Sequence, residues 1–377
     1  MNGSRVWGRE IRYDKWHINP VDLEAMRKDA DEVSDEALSN MDSMKEILDL
    51  CTSAAADKCN IDRLNPPVKS FVENVLRTPE WIDFDKVARG QRVFLRHFAS
   101  AGLGLLYFSL IGGFSAPKIV KVLSSTSYLT ENEARTWKRL NETFEMVVDC
   151  VCDDDAMRVG GKGWCSVLRV RLLHSHVRAM LLGRKGSNSW DSELYGLPIN
   201  QEDMLATLMA FSINVLDSIE KIEGPFSLSV QDKENYLHLW RTIGYYIGVK
   251  EEHNKCIHVN LAYGTVESIV LHLLYPDATS GIVARHVLRS VSRRPPHFFS
   301  YETHCQAARY LLDAPLANAL GIQFSFLHWI YITFVFLMIK IYNILVDPLL
   351  HRYDEKHLMR IRYILRAVVN KALLKSS

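Results

Sequence analysis

The residues best suited to chemistry lie in the segment Val167-Leu168-Arg169-Val170-Arg171-Leu172-Leu173-His174-Ser175-His176-Val177-Arg178-Ala179-Met180-Leu181. Wound as a helix, it puts Val167, Val170, His174, Val177 and Leu181 along one stripe, because side chains three and four apart share a face. His174 then projects from an apolar wall, where a neutral imidazole can offer a ring nitrogen to a metal. A haem iron is held in this way on its proximal side. His176 lies about 200° further round the helix, at about 100° per residue, so the two histidines cannot chelate one ion. A simple His-x-His non-haem site is thereby disfavoured. Arg171 and Arg178 stand one turn before and one turn after His174. Their guanidinium groups can pair bidentately with carboxylates, such as the propionates of a cofactor or an acidic substrate group. Residue chemistry alone leaves both readings of this helix open. A lone histidine on an apolar face is more often a hydrogen-bonded core residue, and arginines on a helix are usually a solvated face.

A second helix, near 131–150, aligns Arg139, Thr143, Met146 and Cys150, with Glu142 beside Thr143. A hydroxyl with a cation and a carboxylate nearby can position dioxygen or pass a proton. Capping and surface pairing would account for the same residues.

These helices need a body to position them. The chain has 377 residues, 48% of them hydrophobic and 24% charged, enough for two average domains or one large helical one. Its formal net charge of +1, with no basic stripe among exposed aromatics, argues against a nucleic-acid partner. The seven cysteines are odd in number, scattered and without a CxxC pair, so buried thiols in a reducing compartment are expected. No apolar run opens the sequence, and a cleaved secretory signal is not expected. Residues 1–65 are polar and acidic, with one helical stretch over about Val21–Leu50. Asn65-Pro66-Pro67 breaks the chain. From Val68 to about Val249 apolar residues recur at the helical period, with no convincing period-two alternation. The central body is therefore all-α.

The C-terminal third changes character. Ala314–Ile339 contains no Asp, Glu, Lys or Arg, and Ile322–Ile339 is apolar but for Gln323, Ser325, His328 and Thr333. Eighteen helical residues span about 27 Å, enough for a hydrocarbon core. Trp329, Tyr331 and Tyr342 suit the membrane interface, although a buried core helix is the other reading. From Lys340 onward eight Lys/Arg face three Asp/Glu. His357–Leu374 sets Leu358, Ile361, Leu365, Val368 and Ala372 on one face, with Arg360, Arg362, Arg366 and Lys371 largely elsewhere. That pattern suits an anionic membrane surface, with the tail in the cytosol, or else a helix packed on the body.

The arginine-histidine helix and the Arg139-Leu140-Asn141-Glu142-Thr143 segment are separated by Gly160-Gly161-Lys162-Gly163. Flanking them are Thr78-Pro79-Glu80-Trp81-Ile82-Asp83, Leu197-Pro198-Ile199-Asn200-Gln201-Glu202-Asp203-Met204 and Leu239-Trp240-Arg241-Thr242-Ile243-Gly244. Over roughly residues 78–250 this set resembles the family of latex-clearing rubber oxygenases and the fungal endoplasmic-reticulum-bound oxygenase of mycophenolic acid biosynthesis. The resemblance implies a globin-like helical core holding haem b, with His174 as the proximal ligand and Arg139 and Thr143 on the oxygen side. It also implies dioxygen as co-substrate and cleavage of a carbon–carbon double bond in an isoprenoid chain. Rubber oxygenases carry a lysine where this chain has Glu142, and their distal glutamate has no counterpart near Pro117–Lys121. Rubber is thus a poor expectation for the substrate, and a prenylated or terpenoid small molecule handled at a membrane fits better.

The expected architecture is all-α: a polar N-terminal helical extension (1–66), a haem-binding oxygenase domain (67–313), a membrane-associated helix (314–346) and a basic amphipathic tail (347–377). A terpenoid synthase fails because Asp153-Asp154-Asp155 lacks the DDxxD spacing. A membrane-bound helical scaffold without its cofactor would explain the altered distal residues. Gly244 and Gly248 suggest close helix packing rather than a nucleotide loop, since no strand precedes them.

Overall fold

The computed structural model describes residues 4–126, 132–183, 190–346 and 355–374. A short antiparallel hairpin opens it, β1 (Ser4–Val6) and β2 (Arg9–Ile11), turning through Trp7 and Gly8, both at positive φ. Two such residues give the turn whose twist matches paired strands. The sequence reading contained no hairpin here, because Trp-Gly is not the usual Asn-Gly or Asp-Gly signal.

The single stretch expected over Val21–Leu50 is three helices: α1 (Pro20–Arg27), α2 (Glu32–Ser39) and α3 (Met44–Ala55). Asn19, Asp31 and Ser43 each accept a backbone N–H at a helix start, so polar caps restart the chain where periodicity alone ran on. Asn65-Pro66-Pro67 likewise begins a helix, α4 (Pro66–Leu76), with Asn65 as cap and the prolines where no N–H is needed. Leu23, Met26, Ile47 and Cys51 share one core with Val68, Phe71 and Val72, so this N-terminal part is built into the body.

The body follows as α5 (Phe84–Arg96), α6 (Phe98–Leu103) running into a π-helical stretch over Gly104–Ile111, and α7 (Pro117–Ser125). Next come α8 (Glu133–Val151), α9 (Lys162–Leu181), the short α10 (Ser192–Tyr195), α11 (Gln201–Glu223) and α12 (Val230–Ile247). Then follow α13 (Val259–His272), α14 (Ala278–Val291) and α15 (Tyr301–Ala319), the last kinked at Asp313 just before Pro315. A Cβ on Gly163 would lie 2.8 Å from Cys150 Cα, so glycine lets the start of α9 press against the end of α8. That crossing aligns the two helices that carry the expected site. Gly244 has the close-packing role expected of it, since a Cβ there would meet Leu208 and Asn254 at 2.9 Å. Gly248 packs closely too, against Asp31, and also caps α12 in the left-handed region.

Helix α16 (Phe326–Ile341) runs into a π-helical turn over Tyr342–Val346. Phe326–Leu345 has a mean hydropathy of 1.5 and is long and apolar enough to cross a membrane. In α16 only Ile332 and Phe336 are buried, while Phe326, Leu327, Ile330, Phe334 and Leu337 are exposed. A soluble core helix would bury far more, so the core reading of this segment fails.

The tail departs from expectation. In α17 (Glu355–Leu374), Leu358, Ile361, Leu365 and Val369 are buried in the main core, against α8 and α5. Arg362 pairs with Asp154, and Glu355 with Arg92 at 3.1 Å. The amphipathic pattern is as expected, but its apolar stripe serves the protein, because α5 and α8 offer a complementary apolar face. Residues 347–354 and 375–377 of the expected tail, and the side chain of Lys371, lie outside the described residues.

Candidate functional site

Helices α8, α9 and α11 wall one continuous cavity of about 1620 Å³. Helix α9 contributes Val170, Leu173, His174 and Val177, while α8 contributes Arg139, Glu142, Thr143 and Met146. The residues predicted for the proximal and oxygen sides therefore share one chamber. Val167 and Leu181, assigned to the same stripe, are buried in packing elsewhere, and His176 is not in the wall. Helix α11 lines the cavity along most of its length, from Asp203 and Thr207 through Asn214 to Asp217 and Lys221. Eighteen residues of helix rise about 27 Å, so the space is long rather than round.

Neither ring nitrogen of His174 has a hydrogen-bond partner among the described residues, and Nδ1 is buried. A core histidine would be satisfied, since burying an unpaired polar atom costs about 1–3 kcal/mol. Burial first, and the Arg178 charge second, push the His174 pKa down to about 4, so the imidazole is neutral and available as a ligand. Among the described residues no three His, Cys, Asp or Glu side chains cluster as a metal site. A single neutral imidazole on an apolar wall fits an iron whose other ligands come from a macrocycle.

Arg171 and Arg178 do not line the cavity. Arg171 donates through Nε to Asp31 Oδ2 at 2.6 Å and through Nη2 to Oδ1 at 2.9 Å, with Nη1 on Asn74 at 3.0 Å. Arg178 donates to Asp35, to the Ile199 carbonyl at 3.1 Å and to Ser175 Oγ at 2.9 Å. Both are buried, so the solvated-face reading fails as well. The guanidinium groups expected at propionates instead tie α9 to α2, because each meets an aspartate on that helix. Arg171 keeps the Asp31 carboxyl below its ordinary range despite its burial. Gly248 is required nearby: a Cβ there would collide with the Asp31 carboxylate. Among the described residues, the cavity's own guanidinium groups are Arg9, Arg139, Arg169 and Arg294.

On α8, Arg139 Nη1 pairs with Glu142 Oε2 at 2.8 Å, and Thr143 Oγ1 donates to the Arg139 carbonyl at 3.1 Å. Asp203 is a further functional candidate, quoted above only within a motif. Its carboxyl is buried in the cavity wall and pushed up to about 7 by burial and by the Glu202 charge. Spacing could not reveal that, since it follows from the desolvation of the start of α11.

A pH dependence follows. Burial lowers His174, His238 and His304 to about 4, from 6.5 in the unfolded chain. Unfolded imidazoles take up protons that the folded protein refuses, so their contribution is full above pH 6.5 and is lost as pH falls towards 4. Asp203 acts oppositely, because its raised pKa favours the folded state as pH falls from 7. Three histidines outweigh one carboxyl: Tm should fall between pH 6.5 and 4, and His174→Gln should flatten the fall. A pH-independent Tm would contradict a neutral, buried His174.

The profile of the family described as ER-bound oxygenase mpaB/B'/Rubber oxygenase, catalytic domain, matches residues 92–338. The match begins later than the motifs at Thr78 and runs through α15 into α16. A rubber oxygenase from Streptomyces sp. (strain K30) is 25% identical over 188 residues, covering 49% of this chain and 44% of that protein. The chain thus spans less than half of that relative's length. The solved latex clearing protein LCP in its closed state superposes with a TM-score of 0.63 over 97% of this chain and 94% of the other, at 17% identity. That likeness is one of fold: the same all-α, LCP-like arrangement of helices. With well over half its length inside the matched region, the chain belongs to the family of ER-bound and rubber oxygenases, through their catalytic domain.

Proposed function

We propose that the protein is a haem-b-dependent oxygenase that cleaves a carbon–carbon double bond in a prenylated or terpenoid small molecule at a membrane. Family membership supports the oxygenase class. The observation that carries the haem reading is His174, neutral and without a hydrogen-bond partner in the wall of a large apolar chamber. Bound there, haem would supply the activation of dioxygen.

The chain's own residues supply position and protons. His174 would hold the haem iron, and Arg171 and Arg178 hold its helix against α2 through Asp31 and Asp35. Arg139, oriented by Glu142, presents a donor on the facing helix, and the Thr143 hydroxyl, which donates to the Arg139 carbonyl, presents its lone pairs. Glu142 is a carboxylate in that wall paired with Arg139, and Asp203, pushed up to about 7, is one that can hold a proton. The guanidinium groups of Arg9, Arg139, Arg169 and Arg294 line the cavity and can meet carboxylates there. The cavity's length along α11 suits an extended apolar chain, as a prenyl group is. The exposed apolar helix α16 and the family's ER-bound members support a place at the endoplasmic reticulum membrane, with the basic tail in the cytosol.

Titrating the purified protein with haemin tests this. A saturable Soret band at one equivalent is the expected result. Stoichiometric non-haem metal with no Soret absorption would overturn it, and no binding of either would favour the non-catalytic scaffold.

A further inference from the structure

The covering of α16 and the mouth of the cavity turn out to be one question. The exposed face of α16 carries Phe326, Leu327, Ile330, Phe334 and Leu337, in a stretch free of charge from Ala314 to Ile339. Phe326–Leu345 would be read from composition as a crossing helix, but the packing argues against a crossing. The inner face of α16 lies along the body: Ile332 and Phe336 are buried, the Tyr310 ring meets Phe336 at 4.8 Å, and Lys340 lies beside Gly224. Helix α17, which follows α16 in the chain, packs on α5 and α8 of the same body. Both ends of α16 and the helix after it are therefore on one side, and α16 can enter a bilayer only lengthwise.

The cavity reaches this surface. Its lining includes Pro295, Pro296, His297 and Phe298 of the α14–α15 loop, and Phe298 is 64% exposed. From there the His297 ring stacks on Phe299 at 5.1 Å, and Phe299 meets Tyr331 of α16 edge-on at 6.1 Å. Tyr331 borders the exposed apolar face. Apolar surface thus continues from the cavity wall to the helix, and a large apolar patch of this kind is a contact site rather than a wetted surface.

We propose that α16 lies in the plane of one membrane leaflet and, with the Pro295–Phe298 loop, holds the cavity mouth in the lipid, so that a hydrophobic substrate enters from the leaflet. The occupant is a lipid bilayer: the α16 face has no charge to pair with a polar partner and joins the opening of an apolar chamber, and Arg293 and Arg294 beside the loop suit the headgroup level. This rests on the membrane part of the function proposed above but not on the cofactor.

The test uses full-length protein and vesicles of phosphatidylcholine doped with a photoactivatable phosphatidylcholine. Lipid adducts, mapped by mass spectrometry, are expected on both the 293–301 and 324–345 peptides and not at Val21, an exposed apolar residue at the start of α1. In microsomes, a C-terminal epitope tag and an epitope on the body are expected to show the same protease sensitivity. Phe298→Asp should remove the loop adducts, keep those on α16 and slow uptake of vesicle-borne dansyl-farnesol several-fold. Adducts on α16 alone would overturn the portal, and a tag on the opposite side from the body would overturn the in-plane helix. Absence of adducts with cross-linked dimers would assign the patch to a second copy and overturn the proposal. A missing Soret band leaves every one of these readouts unchanged, so the two failures are distinguishable.

Discussion

His174→Ala protein, purified and titrated with haemin, is expected to lose the saturable Soret band of the parent and to turn over oxygen at background. The expected loss of haem affinity exceeds about 100-fold, because removing only a supporting partner of a metal ligand already costs about 10–100-fold. Stability should hardly change. The ring makes no hydrogen bond with the described residues and faces a cavity, so truncation leaves no partner unsatisfied. This pairing of outcomes separates a ligand from a core histidine, whose loss would lower Tm. Free imidazole should restore part of the Soret band by filling the vacated position. An unaltered band in His174→Ala would transfer the ligand role to another residue and sink the assignment.

Arg171→Ala is expected to have the opposite profile. Asp31 and Arg171 are both buried, with side-chain exposures of 6% and 5%. Removing the cation strands a carboxylate away from water, at a cost of about 3–5 kcal/mol. That is a large part of the ~5–15 kcal/mol that holds a typical domain folded. Urea denaturation should show the midpoint falling by a corresponding amount. The double variant Asp31→Asn with Arg171→Met should recover much of the loss, since it removes the stranded charge as well. A propionate-binding arginine would instead weaken haem binding and spare the apo-protein. Apo-protein of unchanged stability in Arg171→Ala would overturn the structural role.

The contrast between these two residues shows how far the sequence could be read. His174 and Arg171 occupy the same helix, three residues apart. Helical periodicity correctly put His174 in an apolar wall and separated it from His176, since both follow from a fixed angle per residue. It could not say what Arg171 meets, because that partner, Asp31, is 140 residues earlier and arrives only when α2 folds onto α9. The same limit governs α17. Its amphipathic stripe was plain in the sequence, but membrane lipid and the apolar flank of α5 and α8 are alike to such a pattern.

By itself the sequence determined the helical class, the apolar charge-free segment, the apolar stripe that carries His174 and the alignment of Arg139 and Thr143 with Glu142 beside them. These are local, set by turn angle, capping chemistry and composition. Tertiary structure alone decided that the two walls enclose one long cavity, that Arg171 and Arg178 brace α9, and that Asp203 lies buried in the wall. It also decided that α16 lies along the body with its outer face uncovered. The physical reason is common to all four: burial, desolvation and ion pairing depend on which distant surface arrives, and hydrophobic attraction carries no direction that a one-dimensional pattern could record.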